Sequence, residues 1–575
     1  MSAPVSPNAP DLIDRLAAGW CAYLVLAVLA ILAVLPGFFS APPLDRDESR
    51  FAQATAQMLE TGDFVRISVQ DEPRNKKPVG IHWLQAGAVA ATTGVEAREI
   101  WAYRLPSMAG AAITVLAAFW AGIALIGRRA AFVGAALLAC ALLVSTEGMI
   151  AKTDSMMTAM TAVALAALAH LRIGDTQRPR LLALIVWAGI GAGILIKGPI
   201  TPMVVGLTVA ALGLWERRWA WMKPLLFWGG PVLAGLITLP WLIAIGIETN
   251  GAFFAEAITG DLAPKISAGG EHPWTPPGVH TVLLPLLIYP ATLGLIPAAI
   301  AGFRALRAPR TAPDFAGVRF LLAWALPSFL VFEVATTKLA HYPMPTYAAF
   351  ALLCGYGLAR WWSLERASLR LAAAAFFVIG AVGVTAAAAL LASYAPGDDA
   401  ASERRALTAA LSVGGPAILA ALVIAANRRL TVVLAAALLV ALQGLWFTRE
   451  RSLPEARTLL VSREAHAALI REGLHPRLSP HPPQPLAIIG YRETSLMFET
   501  NTQVSLLLGK DAGATLPAGA AVLVEGRERA ALDAGLALRG LMLAPAGLAV
   551  TGHNYSNDDR VTLQPGRIVP ARPAR

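Results

Sequence analysis

Two carboxylic acids stand side by side at Asp47-Glu48, inside a polar stretch running from Leu44 to Pro106 of a chain that is otherwise largely apolar. A carboxylate within hydrogen-bond reach of a hydroxyl can take its proton. The same acids in the first turn of a helix can instead cap it and complement its dipole. The stretch also holds Arg50, a basic run at Arg74, Lys76 and Lys77, and the pair His82-Trp83. Farther along come Asp154, Lys197 within Ile-Lys-Gly-Pro, and Lys338, His341 and Tyr342. A lysine held between two short apolar runs is either loop chemistry or a cation at a membrane surface, where it would suit a lipid phosphate. Glu271-His272, with His280 beyond them, raises metal binding. Two adjacent ligands fall short of the three or four protein ligands that zinc sites use, and a solvated loop is the favoured reading of the pair. Cys21, Cys140 and Cys354 lie in apolar segments with no CxxC spacing, so no disulfide framework is expected.

The elements that must position these residues are membrane spans. The 575 residues are 56% hydrophobic and only 15% charged, where a soluble domain carries about 25% charged residues. Apolar segments recur at about 18–39, 104–126, 130–148, 154–171, 181–196, 199–214, 223–247, 279–303, 318–336, 342–360, 370–392, 407–426 and 430–448, roughly thirteen spans. The net charge of +10 comes from basic residues in short loops between them. That is the positive-inside pattern, and no basic stripe with interleaved aromatics points to nucleic acid. An odd number of spans puts the N-terminus in the cytoplasm and the C-terminus outside. Residues 40–103 then form a first outer loop, with an interfacial helix over Glu48–Leu59, an extended 64–70 and a second short helix over His82–Ala91. The same topology gathers Asp47, Glu48, Lys152, Asp154, Lys197, Asp261, Lys265, Glu271, His272, Lys338 and His341 on the outer face.

Composition changes after Phe447. Residues 449–575 are polar and contain no further span. Leu486–Gly490 and Ala521–Val524 read as buried strands, each followed by a helix, near 492–499 and 527–538. A small soluble α/β domain is expected there, without a nucleophile elbow, P-loop or dinucleotide fingerprint, and with a structural or lid role. Residues 1–448 form the membrane domain.

Several short motifs occur in order along residues 18–360: Asp-Glu-x-Arg-Phe-Ala from Asp47, Met-Leu-Glu-Thr-Gly-Asp-Phe from Met58, and Lys-Lys-Pro-Val-Gly-Ile-His-Trp-Leu-Gln-Ala from Lys76. Tyr-Arg-Leu-Pro-Ser follows from Tyr103, then Lys-Thr-Asp-Ser-Met-Met-Thr around Asp154, Ile-Lys-Gly-Pro around Lys197 and Thr-Thr-Lys-Leu-Ala-His-Tyr-Pro-Met-Pro around Lys338 and Tyr342. The series resembles the polyprenyl-phosphate-sugar-dependent glycosyltransferases of the GT-C fold, among them the bacterial lipid A aminoarabinose transferases and the protein O-mannosyltransferases. The resemblance implies that Asp47, beside Glu48, is the general base or acceptor-orienting acid and that Asp154 is the second family acid. It implies that Lys197, Lys338 and Tyr342 serve the carrier phosphate. Arg50 and Lys77 can join them in stabilising charge that grows on the leaving phosphate. The aminoarabinose transferases carry a metal-linked Glu immediately before the Lys-Pro of this loop. This chain has Lys76 there, which leaves a divalent cation open.

The implied activity is transfer of a sugar from a polyprenyl phosphate carrier to a lipid, glycan or protein acceptor of the envelope. The transfer would occur at the outer face of the inner membrane, by one inverting displacement. Two other classes are weighed against it. A flippase of lipid-linked saccharide should place polar groups near mid-membrane and show internal repeats; the polar residues here sit at span ends and no repeat is evident. A non-catalytic scaffold would use the outer domain to bind a partner.

Overall fold

The computed structural model describes residues 11–44, 46–173, 177–264, 276–362, 366–479 and 485–571. The N-terminal part is mainly helical: α1 Cys21–Val34, α2 Asp47–Thr61, α3 Gly80–Ala91, α4 Ile100–Ile126, α5 Arg128–Ala139, α6 Leu142–Met149, α7 Asp154–Ile173, α8 Pro179–Lys197 and α9 Ile200–Glu216. It continues through α10 Gly229–Glu248, α11 Val279–Leu287, α12 Leu295–Arg307, α13 Ala316–Val334, α14 Tyr347–Trp361, α15 Ala367–Ser393, α16 Asp399–Ala426 and α17 Leu430–Trp446.

Among the described residues, eight helices are long and apolar enough to cross a membrane. Two bent pairs, α5 with α6 and α11 with the segment Ala291–Arg307, raise the number to ten. The shorter apolar helices α1 and α9 and the 15-residue α14 account for the remaining expected segments. Each of the thirteen segments is therefore helical, but length and composition carry ten of them. The expected continuous spans over 130–148 and 279–303 are broken, by 53° and 108° respectively. This is a multi-span membrane protein.

The packing between spans is close where it matters for the site. A Cβ on Gly110 of α4 would lie 2.7 Å from the backbone nitrogen of Met156, so α4 and the first turn of α7 meet backbone to backbone. The Ser155 hydroxyl donates to the Ser107 carbonyl at 2.7 Å, and the Ser107 hydroxyl to the Lys152 carbonyl at 3.2 Å. At the other end of α7, Arg172 and Arg319 share the buried Glu216 of α9. An isolated charge there would cost several kcal/mol, and pairing offsets that.

Both short helices of the first loop form. In α2, Asp47 and Glu48 occupy the first turn, and Gly62 ends the helix in the left-handed region at φ +72°, its N–H bonded to the Met58 carbonyl. Between α2 and α3 only Ser68–Val69 is strand. It pairs antiparallel with Glu72–Pro73.

Beyond the last span, the chain folds into a mixed sheet that flanking helices cover. Numbering the loop strands Ser68–Val69 and Glu72–Pro73 as β1 and β2, the sheet contains β3 Ala487–Ile489, β4 Ser505–Leu507, β5 Ala521–Glu525, β6 Leu541–Pro545, β7 Val550–Asn554 and β8 Asp559–Pro570. The order is β4-β3-β5-β8-β6, with β7 also on β8. β3 runs parallel to β4 and β5, whereas β8 is antiparallel to its neighbours. The two strands read from the sequence are the two buried on both faces. β4, β6, β7 and β8 carry alternating or mostly exposed patterns and went unrecognised.

The sheet domain rests on the first outer loop. Gln53 of α2 donates to Thr502 at 2.7 Å, and Gln70 donates to the Val504 carbonyl at 2.7 Å. Arg98, buried, reaches the Phe498 carbonyl at 3.1 Å and Thr502 at 2.7 Å, and pairs with Glu60. Tyr103 and Phe498 meet edge to face, with ring centroids 5.1 Å apart.

Candidate active site

A cavity of about 540 Å³ opens where the first outer loop, the ends of four spans and the sheet domain converge. Asp47, Glu48, Arg50, Lys77, Asp154, Lys197 and Tyr342 all line it, together with Arg46, Arg74, Lys76, Lys152 and His341. Residues separated by almost three hundred positions thus share one wall, because α7 begins at Asp154 and α8 ends at Lys197 on the same side of the bundle.

The adjacent acids have opposite fates. Glu48 is 1% exposed, and its carboxylate is saturated. Arg104 donates Nε to Oε1 at 2.7 Å and Nη2 to Oε2 at 2.9 Å. The backbone N–H groups of Ala151 and Leu44 each add a bond at 2.8 Å. The remaining guanidinium donors of Arg104 go to the carbonyls of Phe38, Ala41 and Pro42. This knot joins the end of the first helix, α2, α4 and the loop before α7. A carboxylate with four donors has no lone pair to spare for a substrate proton, which sets Glu48 apart from the catalytic role expected of it. Asp47, one residue earlier, points the other way and is exposed to the cavity. No hydrogen bond or ion pair engages it among the described residues.

Across the cavity, charges are buried in pairs. Asp154 is 3% exposed and forms an ion pair with Lys197 through Oδ1. The Lys197 ammonium also lies 5.9 Å from the centroid of the Tyr342 ring, within cation–π range. Lys152 pairs with Glu147 at 2.9 Å. Burial opposes the charge of Lys152, but the Glu147, Asp154 and Asp47 carboxylates outweigh it and raise its pKa. His341 Nε2 stands 3.7 Å from Asp154 Oδ1. Burial, helped by Lys152 and Lys197, lowers its pKa to about 3 despite the pull of Asp154. The imidazole is therefore neutral at pH 7, and the contact is not an ion pair.

The floor of the cavity is braced from below. Phe51 packs on His82 with ring centroids 5.4 Å apart, and the Arg74 guanidinium lies 5.3 Å from the Phe51 centroid. His82 is buried and shares a 2.8 Å hydrogen bond with Thr55. Burial first, then Arg74, lowers its pKa to about 3, so it too is neutral. It supports the wall without touching the cavity.

Lys338 is the exception among the expected phosphate ligands. Its ammonium turns back to the Ala335 carbonyl at 2.6 Å, at the C-terminal end of α13, where unsatisfied carbonyls attract cations. Its neighbours Thr337, Leu339, His341 and Tyr342 line the cavity instead. The loop that carries them is held by His280, whose Nε2–H donates to the Leu339 carbonyl at 3.0 Å and whose Nδ1 lies 3.1 Å from a Glu333 carboxylate oxygen. The weak metal candidates Glu271 and His272 lie outside the described residues. Among those described, no group of three or more His, Cys, Asp or Glu side chains could hold a metal ion. The position next to Lys77 is itself a cation, Lys76, on the cavity wall. The described residues therefore do not fit the metal that the family's Glu would serve.

Sequence reasoning quoted Arg104 within a motif without giving it a role, and passed over Arg46, Tyr555 and Ser556. A lone arginine just inside an apolar span is a recognisable signal for Arg104. Nothing local distinguishes Tyr555 and Ser556, which reach the cavity from the turn between β7 and β8.

The architecture superposes on ArnT from Cupriavidus metallidurans bound to undecaprenyl phosphate, with a TM-score of 0.70 over 95% of this chain and 98% of that one, at 19% identity. The chain has the GT-C fold. Residues 44–252 match the family model of dolichyl-phosphate-mannose-protein mannosyltransferases. Undecaprenyl phosphate-alpha-4-amino-4-deoxy-L-arabinose arabinosyl transferase of Pseudomonas aeruginosa is 30% identical over 347 residues, 57% of this chain. The transferase of the same name from Erwinia tasmaniensis is 27% identical over 351 residues. The chain spans 59% of the length of the Pseudomonas relative and 60% of the Erwinia one. The resemblance read from the motifs along residues 18–360 is thereby borne out. The proteins named here are all transferases, so the flippase alternative finds no support among them.

Proposed function

We propose that this protein is a membrane glycosyltransferase that moves a sugar from a polyprenyl phosphate carrier to an envelope lipid, glycan or protein acceptor. One observation carries the reading. An exposed, unengaged carboxylate, Asp47, faces an ammonium held by Asp154 and Tyr342 across a single cavity at the ends of membrane spans.

The chemistry follows from that pairing. A carrier with a polyprenyl tail keeps its phosphate at the level where spans end, and Lys197 is the last residue of α8. An acceptor hydroxyl attacks the anomeric carbon from the side opposite the phosphate. The new C–O bond forms as the bond from anomeric carbon to phosphate oxygen breaks, with inversion. The acceptor proton passes to Asp47, and the carrier leaves as polyprenyl phosphate. Its new negative charge meets Lys197, with Arg50 and Lys77 on the loop side. Fixed cations aimed at developing charge in a water-poor site lower the barrier more than they would in water. Asp154 acts here as a positioning acid. It holds the Lys197 ammonium in place and balances a buried charge.

We further infer that the cavity faces outward and the C-terminal sheet is extracytoplasmic, with residues 1–448 as the membrane unit and 449–575 as the outer one. What supports this is the course of α7, which runs from Asp154 at the cavity to Arg172 among the arginine-rich loops. Its 20 residues cover about 30 Å, and basic loops favour the cytoplasm. The reading places the protein in the inner membrane with its N-terminus inside.

The decisive experiment supplies the purified protein in nanodiscs with a labelled undecaprenyl-phosphate sugar and an envelope lipid acceptor. The expected products are a glycosylated acceptor and free undecaprenyl phosphate in equal amounts. Carrier translocation in vesicles without a new glycosidic bond would overturn the assignment.

A further inference from the structure

Lys152 is a buried cation of the cavity wall that a displacement between Asp47 and Lys197 leaves unused. It is 7% exposed and pairs at 2.9 Å with Glu147. Glu147 lies near the end of α6 and is not among the residues that line the cavity. We propose that Lys152 is a further ligand of the carrier phosphate, forming a two-ammonium clamp with Lys197, and that Glu147 is its positioning residue. The proposal rests on the glycosyltransferase reading and deepens it at the phosphate end.

Three features of Lys152 carry this role. First, its ammonium is fixed in place. The Lys152 N–H donates to the Ile150 carbonyl at 2.8 Å, and its own carbonyl accepts from the Ser107 hydroxyl at 3.2 Å. The preceding residue, Ala151, donates its N–H to Glu48 at 2.8 Å. The backbone is thus pinned to α4 and to the knot around Arg104, while Glu147 holds the far end of the side chain. A cation set beforehand needs no reorganisation when charge develops beside it. Second, it stands between groups already at the reacting centre. Burial opposes its charge, and Glu147, Asp154 and Asp47 support it. Lys197 pairs with the same Asp154, so the two ammoniums border one acid. Third, it has donors to give. An ammonium carries three N–H groups, and Glu147 is its one side-chain partner among the described residues.

A role in stability alone explains the pair less well. A buried ion pair often stabilises a fold less than well-packed apolar side chains of similar volume. Here the cation sits on the cavity wall and the anion behind it, which turns positive charge toward a ligand and keeps negative charge away. As the bond from anomeric carbon to phosphate oxygen breaks, that oxygen keeps the electron pair. Lys152 meets the new charge by hydrogen bonding alongside Lys197 and gives up no proton.

The test uses the full-length protein in nanodiscs and two measurements, binding of undecaprenyl phosphate and steady-state transfer from an undecaprenyl-phosphate sugar to lipid A as the acceptor probe. A single exchange strands one buried charge, so the main variant is the double one, Glu147→Leu with Lys152→Met, which removes both and should fold like the wild type. It should bind undecaprenyl phosphate roughly tenfold more weakly and lose roughly a hundredfold in kcat, with the acceptor KM within about twofold of wild type. Lys152→Arg keeps the charge and should hold carrier binding within about threefold. Glu147→Gln keeps the ammonium but frees it, so carrier binding should stay within about threefold while kcat falls roughly tenfold. The clamp is overturned if the folded double variant binds the carrier and turns over like the wild type, or if its acceptor KM rises while carrier binding is unchanged. An unchanged kcat in folded Glu147→Gln overturns the positioning role. Should the double variant misfold, Lys152→Gln decides by the same criteria. Absence of any transfer by the wild type defeats the glycosyltransferase reading itself. Normal wild-type transfer with an unaffected double variant defeats only the clamp.

Discussion

Exchanging the adjacent acids one at a time separates chemistry from architecture. Asp47→Asn removes an exposed charge that has no hydrogen bond or ion pair among the described residues, so the stability cost is mainly that of the helix dipole, about 0.3–1 kcal/mol, with a smaller loss of its pull on Lys152. If Asp47 is the base, transfer should fall by about 10²–10⁴-fold, the usual worth of a positioned proton acceptor. Glu48→Gln does the reverse. It leaves Arg104 buried at 0% exposure with its ionic partner gone, and breaking a buried pair costs about 3–5 kcal/mol. The amide oxygen can still accept two of the four hydrogen bonds, but its NH2 then faces the other two donors, and a neutral group cannot balance the guanidinium. Thermal unfolding in detergent, followed by tryptophan fluorescence, should show Glu48→Gln melting several degrees below Asp47→Asn. Transfer measured well below both transitions should show Asp47→Asn as the more impaired enzyme per folded molecule. The reasoning fails if Asp47→Asn, properly folded, turns over like the wild type. It fails equally if Glu48→Gln is as stable as the wild type and catalytically dead, which would make Glu48 the reacting acid.

Lys197→Met should cut transfer by about 10²-fold or more, as loss of a preorganised cation does, and should weaken undecaprenyl phosphate binding measured by scintillation proximity. Lys197→Arg should recover part of that binding. Gly110→Ala places a Cβ 2.7 Å from the Met156 backbone nitrogen, so α4 and α7 must separate. Lowered thermal stability together with lower kcat is expected, because the shift displaces Asp154. The neutral, buried His341 contributes stability that is present above its unfolded pKa of 6.5 and is lost as pH falls toward its folded value of about 3. The integral of that window is up to about 5 kcal/mol, and His341→Gln should flatten the fall in melting temperature between pH 6.5 and 4. Arg98→Ala should loosen the sheet domain from the first outer loop, read as faster cleavage in limited proteolysis between the last span and β3.

How much of this was legible beforehand depends on the range of the interactions involved. Apolar runs of bilayer length are local, and all thirteen became helices. The breaks in the segments 130–148 and 279–303 did not show, because they arise where Leu142 and the chain around Tyr289 bond to one another. The doubly buried strands β3 and β5 were readable as continuous apolar runs. The edge strands and the long β8 were not, since their patterns are set by which neighbour covers each face. Asp47, Asp154, Lys197 and His341 could be placed on one face by topology alone, and Tyr342 only through the resemblance. Which of Asp47 and Glu48 is available for chemistry could not, because Arg104 lies 56 positions from Glu48 along the chain. The bond of the Lys338 ammonium to the Ala335 carbonyl, just past the end of α13, was likewise not readable from the sequence.

The order of residues by itself determined a many-span bundle, the polar loop after its first helix, and the gathering of acids and lysines at one set of span ends. Those follow from hydropathy and charge, which act residue by residue in a bilayer. Tertiary structure decided which charges cancel, which remain facing the cavity, and that a turn of the distant sheet closes it. Pairing and enclosure are properties of side chains brought together from far apart, and their energies exist only once burial has removed the water that would otherwise satisfy each group separately.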